Sequence, residues 1–122
     1  MVNNNKKDFL TLKDYSKSEI EDILNLSGKI KEDKKKYDKV LKGKNIALLF
    51  DKHSTRTRLS FEVGIDQLGG NSVYLDSKNL QLSRGETYKD TAMVLSRYVD
   101  GLVVRTFKQE TVECLAEYGT IP

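Results

Sequence analysis

The chain has 122 residues, 38% of them apolar and 32% charged, with a formal net charge of +3. That length buries roughly two thirds of the surface an unfolded chain exposes, enough for one domain with its own core. No apolar run approaches the roughly 20 residues of a membrane span, and the polar opening MVNNNKKD lacks the apolar stretch of a signal peptide. One cysteine, Cys114, excludes an intrachain disulfide, so the expectation is a soluble protein of the reducing cytoplasm with no membrane partner.

Along the chain, the first helix is expected to start after Ser16, because Ser16 and Glu19 form a capping box. Ile20, Ile23, Leu24 and Ile30 then share one face. The helix should fray in the run at residues 29–44, which holds eight lysines against three acids. With no aromatic platform interleaved, that run reads as a solvated helix end and connector, not as a nucleic-acid surface.

NIALLF, residues 45–50, is a nearly unbroken apolar run, the signature of a strand buried on both faces. A helix should follow from about Ser54 to Leu68. Leu59 and Val63 lie on one side of it and Phe61, Ile65 and Leu68 on the other, which predicts burial on two faces. A second strand is expected near Ser72 to Leu75, then a polar loop, LQLSRGE. A third helix should run from Thr87, paired with Asp90 as a second capping box, through Tyr98. GLVVR, residues 101–105, is a third strand ending on a cation, and QETVECLAEY a fourth helix stopped by Gly119. A further strand is expected to begin at the closing TIP. The alternation predicts a three-layer α/β/α fold, its central, mainly parallel sheet of about four strands flanked by helices.

Between the first strand and the second helix, Ser54, Thr55, Arg56, Thr57 and Arg58 place three hydroxyls and two guanidiniums in five positions. In an open parallel sheet, ligands bind beyond the carboxyl ends of the strands, where helix starts present unpaired amides and about half a positive charge. Ser54 and Thr57 add hydroxyl donors there, Arg56 adds a charge-assisted grip on phosphate oxygens, and Arg105 ends another strand at the same edge. The pattern points to a phosphate site; the competing reading is ordinary helix capping with surface charge. Neither a glycine-rich phosphate loop nor a metal-ligand cluster is present in the sequence. His53 and Cys114 stand alone and read as structural.

Three stretches, STRTRLSFE at residues 54–62, SRGETYKDTAMVLSRYVDGLVVRTF at 83–107 and FLTLKDYS at 9–16, together resemble the N-terminal half of ornithine carbamoyltransferases, in the same order and spacing. The resemblance implies that residues 1–122 form a carbamoyl-phosphate-binding domain. Ser54, Thr55, Arg56 and Thr57 would cradle the phosphate, and Arg105 would reach the phosphate and carbonyl side, with Arg56 and Arg105 doing the catalytic electrostatic work. Gln81 matches a position that reaches into a neighbouring subunit's site, which implies a homotrimer or a multiple of trimers. The implied reaction carries the carbamoyl group of carbamoyl phosphate to the δ-amino group of L-ornithine, with no metal or organic cofactor. The family's His-Pro-x-Gln segment and its ornithine-binding domain would lie beyond Pro122, so this chain alone is expected not to turn over.

Aspartate carbamoyltransferases share the phosphate motif but usually carry a lysine in the loop where this chain reads Gln81-Leu82-Ser83-Arg84, and a histidine where it has Thr106. Enzymes acting on other amines, such as putrescine, share much of this half. A non-catalytic anion-binding module is the rival from another class, and a nucleic-acid-binding protein is more remote because no recognition element is present.

Overall fold

The computed structural model describes residues 6–79 and 87–122. Its centre is strand β1 (Asn45–Phe50), hydrogen-bonded on one side to β2 (Asn71–Asp76) and on the other to β3 (Gly101–Arg105), all parallel, in the order β2-β1-β3. Ala47, Leu48, Leu49 and Phe50 are each at most 1% exposed. A strand this apolar needs cover on both faces, and the period-2 alternation of its side chains divides the core accordingly.

Leu48 and Phe50 point to the face covered by helix α2 (Thr55–Gln67), where they meet Ile65, with Tyr74 and Val103 alongside. Leu49 points to the opposite face, against Ala92 of α3 (Tyr88–Tyr98) and Leu115 of α4 (Gln109–Tyr118), with Leu75, Leu102 and Val104. The layers are therefore α2, sheet, and the α3–α4 pair, the α/β/α arrangement expected. The chain leaves β1 toward α2's face and β3 toward α4's, the switch of direction beyond whose strand ends open α/β sheets bind ligands.

The helix starts follow their capping residues. Ser16 caps α1 (Lys17–Glu32) through the full capping box with Glu19, in bonds of 3.1 Å each way. The exposed Glu19 carboxyl is held down to about 2 by its bond to Lys7 first and by its bonds to Ser16 second, and the Lys7 ammonium is raised in return. Thr87 caps α3 through Asp90 N at 3.1 Å, the forward half of the expected box. At the other end of α2 the chain turns on Gly69, at φ +84, where a Cβ would lie 2.4 Å from the Asp38 carbonyl. Only glycine lets the α2–β2 turn lie this close to the segment before β1.

Several expectations are corrected. Three strands are present among the described residues, not about four. After α4 the chain makes one bond on the outer edge of β3, Leu102 N to the Pro122 carbonyl at 2.9 Å, and a proline has no N–H with which to extend a ladder. The first helix ends within the lysine run, at Glu32, on a closed terminus. Asp33 closes α1 through its amide to Lys29 O and caps a following 3-10 turn (Lys34–Tyr37) through its carboxylate. The two-faced burial expected of α2 is half realised: Ile65 is buried, whereas Leu59, Phe61 and Val63 are 41–52% exposed. No residue of α1 is buried, and Ile23 and Leu24 of its apolar stripe face solvent. No described helix is long and apolar enough to cross a membrane.

Candidate functional site

The carboxyl ends of β1 and β3 are neighbours, and the side chain at the end of β3 reaches the start of α2. Ser54 has extended backbone, φ −160 and ψ 109, and its hydroxyl accepts from Thr57 N at 3.2 Å, satisfying one of the unpaired amides of the first turn. The first intrahelical bond is Arg58 N to Ser54 O at 3.0 Å. The amides of Thr55 and Arg56 therefore point out of the helix end with no carbonyl to meet, and the helix dipole adds positive potential along the same axis.

The hydroxyl of Thr57 joins the elements. Its oxygen accepts from the Ser54 hydroxyl at 2.9 Å and from Arg105 Nη1, at the end of β3, at 3.3 Å. With both lone pairs engaged, its own O–H remains as a donor. Arg105 Nε is buried without a hydrogen-bond partner among the described residues. A buried donor left unpaired costs about 1–3 kcal/mol, so a positive site is held here that an anion would complete. In every acid–base pair of the described residues the base is Lys6, Lys7, Lys17 or Arg58, so no carboxylate among them pairs with Arg105.

The structure thus brings Ser54, Thr57 and Arg105 together by direct bonds and places Thr55 and Arg56 in the same helical turn. Arg56 is exposed, and its carbonyl receives the Ser60 hydroxyl at 2.8 Å. Arg58 is committed elsewhere, paired with Glu62 at 2.9 Å and stacked 3.5 Å over the Tyr74 ring. Gln81 lies outside the described residues. Lys52 rests its ammonium 5.6 Å from the Phe107 ring, His53 is exposed, and Cys114 is half-buried on α4.

Three residues at this edge were given no part in the site by the sequence reading, which used Thr106 only to set the aspartate enzymes apart. The carboxylate of Asp51, just past β1, accepts from Thr106 Oγ1 at 2.6 Å and from Tyr88 Oη at 3.4 Å. The Tyr88 hydroxyl is pushed up from its ordinary value by burial first, then by the charge and hydrogen bond of Asp51, a Thr111 hydroxyl working the other way. The available signal was the period-2 alternation, which puts Asp51 on the same face as Leu49; using it requires knowing that β3 lies beside β1.

An open parallel sheet whose strand-end arginine faces a helix start, with no carboxylate partner among the described residues, has the arrangement of an anion-binding α/β domain. Residues 7–122 match the family model for the carbamoyl-phosphate-binding domain of aspartate/ornithine carbamoyltransferases. A protein of Anoxybacillus flavithermus named ornithine carbamoyltransferase is 56% identical over 118 residues, covering 95% of this chain and 38% of that relative. Among solved structures, the ornithine carbamoyltransferase of Pyrococcus furiosus superposes with a TM-score of 0.88 at 47% identity, covering 95% of this chain and 38% of that one. The anabolic ornithine carbamoyltransferase of Campylobacter jejuni does so with a TM-score of 0.87 at 45% identity, with 95% and 37% covered. The chain belongs to the aspartate/ornithine carbamoyltransferase family, as its carbamoyl-phosphate-binding domain. It spans a little over a third of the length of these relatives.

Proposed function

We propose that this chain supplies the carbamoyl-phosphate half of an ornithine carbamoyltransferase, which forms L-citrulline and phosphate from carbamoyl phosphate and L-ornithine. The observation that carries the reading is Arg105, whose buried Nε lacks a partner beside the open amides of the α2 start. In this reading Ser54, Thr55, Arg56 and Thr57 hold the phosphate oxygens, and Arg105 spans the phosphate and the carbonyl oxygen. The names of the relatives favour ornithine over aspartate as acceptor.

The chemistry suits such a site. The neutral δ-amine attacks the carbonyl carbon, a C–N bond forms, and the bond from that carbon to the phosphate oxygen breaks, its electron pair leaving with phosphate. The nitrogen then loses its proton. No covalent nucleophile is needed, so the protein's contribution is to position two substrates and stabilise negative charge on the carbonyl and departing phosphate oxygens. Arg56, Arg105 and the helix-start amides are donors of that kind. The amine substrate is held by residues beyond this sequence, and the active enzyme is a homotrimer, or a multiple of one, in which Gln81 reaches a neighbouring subunit's site.

Calorimetric titration with carbamoyl phosphate tests the reading, with inorganic phosphate as comparison. Binding should be lost in Arg56→Ala. Absence of binding by the folded wild-type chain, or binding that survives in Arg56→Ala, would move the phosphate site away from the α2 start.

A further inference from the structure

Alternation along the strands sends two neighbouring charges to opposite faces of the sheet. Val103 lies on the α2 face, so Arg105 projects there too, as its bond to Thr57 requires. Leu49 lies on the α3–α4 face, and Asp51 follows it, as its bond to Tyr88 of α3 requires. The backbones of the two are joined, Asp51 N donating to Arg105 O at 2.8 Å. Asp51, one position past β1, is therefore attached by its backbone to the strand end that carries the arginine, while its carboxylate lies on the other face.

The carboxylate is occupied instead by two hydroxyls from other elements. Thr106, the residue after Arg105, donates at 2.6 Å, the short distance of a charge-assisted O–H···O− bond. Tyr88, the first residue of α3, donates at a longer 3.4 Å. Asp51 thus grips the β3 end by its backbone before Thr106 and by its side chain at Thr106, and leans that end on α3. An acid that turned to the other face would pair with Arg105 and cancel the charge an anion needs.

We propose that Asp51 is a positioning residue of the anion site: by engaging Thr106 and Tyr88 on one face of the sheet, it holds the Arg105 guanidinium, which pairs with no carboxylate among the described residues, on the other. The proposal rests on the anion-site reading of this edge, but its first readout needs no ligand. That readout is the Nε–Hε resonance of Arg105 in the ligand-free 122-residue chain, identified by its disappearance in Arg105→Lys. The second is affinity for inorganic phosphate.

In Asp51→Ala, hydrogen exchange at Arg105 Nε should quicken about tenfold or more as the strand end loosens, and phosphate should bind about tenfold more weakly from misplacement of one donor. Asp51→Asn should restore both, because its amide oxygen still accepts from both hydroxyls. Thr106→Val should reproduce most of the effect and carries the test if Asp51→Ala does not fold. Tyr88→Phe should have the smaller effect its longer bond predicts. An unchanged Arg105 resonance in Asp51→Ala or Thr106→Val overturns the proposal, as does Asp51→Asn behaving like Asp51→Ala, which would make the charge and not the contacts decisive. If wild type binds no phosphate while Arg105 still responds to Asp51, the positioning stands and the anion reading fails.

Discussion

Replacing Arg105 by methionine should make the ligand-free domain more stable and the phosphate-loaded domain less so. Arg105 Nε is buried without a partner among the described residues, and a buried unpaired donor costs about 1–3 kcal/mol. The bond lost among the described residues, Nη1 to Thr57 Oγ1, is 3.3 Å long and contributes about 0.5–1.5 kcal/mol at most. Methionine keeps the aliphatic stem that packs at the end of β3 and removes the orphan donor. The net gain is on the order of 1 kcal/mol, which for a chain of this size raises Tm by about 3–5 °C. Phosphate at 100 times its Kd should stabilise wild type by about 2.7 kcal/mol, and should leave Arg105→Met unmoved. Differential scanning calorimetry without phosphate and with it should therefore rank the two proteins in opposite orders. A variant that melts below wild type in plain buffer, or that still gains stability from phosphate, would refute the view that Arg105 is kept at a cost to the fold for the sake of an anion. This is the trade between stability and function expected at a preorganised site.

Two further outcomes test the fold beneath the site. Leu48 is fully buried at the centre of the sheet, so Leu48→Ala should lose about 2–5 kcal/mol, read as a lower urea midpoint with an unchanged slope; a loss below about 1 kcal/mol would mean that the α2 layer collapses into the gap. Glu19, held down to about 2 from an ordinary carboxyl value of 4.5, stabilises the fold above its unfolded value, and that contribution is lost as pH falls from about 4.5 toward 2. The stability gap between wild type and Glu19→Gln should therefore be full at pH 6 and close across that window. A gap that persists at pH 2 would assign the effect to packing.

Much of the molecule was legible because its signals are local. Ser16 with Glu19, Ser54 with Thr57, and Thr87 with Asp90 are partners three residues apart, and each marks a helix start that the structure realises. The run at residues 45–50 announced a strand covered on both faces because every residue from Ala47 to Phe50 avoids water. The α2 start was readable as a donor-rich helix end for the same reason: hydroxyls, guanidinium and open amides are contiguous in the chain. Where local pattern misled, the missing element was a partner surface. The stripes of Ile23 and Leu24 on α1 and of Leu59 and Val63 on α2 are amphipathic, and periodicity says that such faces prefer burial without saying what buries them.

From its sequence alone the chain determined its helix starts, its central strand, its layer order and the candidate anion site at residues 54–57. Tertiary structure decided the rest. The bond from Arg105 to Thr57 spans 48 positions and that from Thr106 to Asp51 spans 55. Both exist because β3, formed after β2, crosses back to lie on the other side of β1. Capping and periodicity act between residues three or four apart, whereas the face each strand-end charge takes depends on which strands become neighbours. Only the sheet order and its pleat put the Asp51 carboxylate and the Arg105 guanidinium on opposite faces of the sheet.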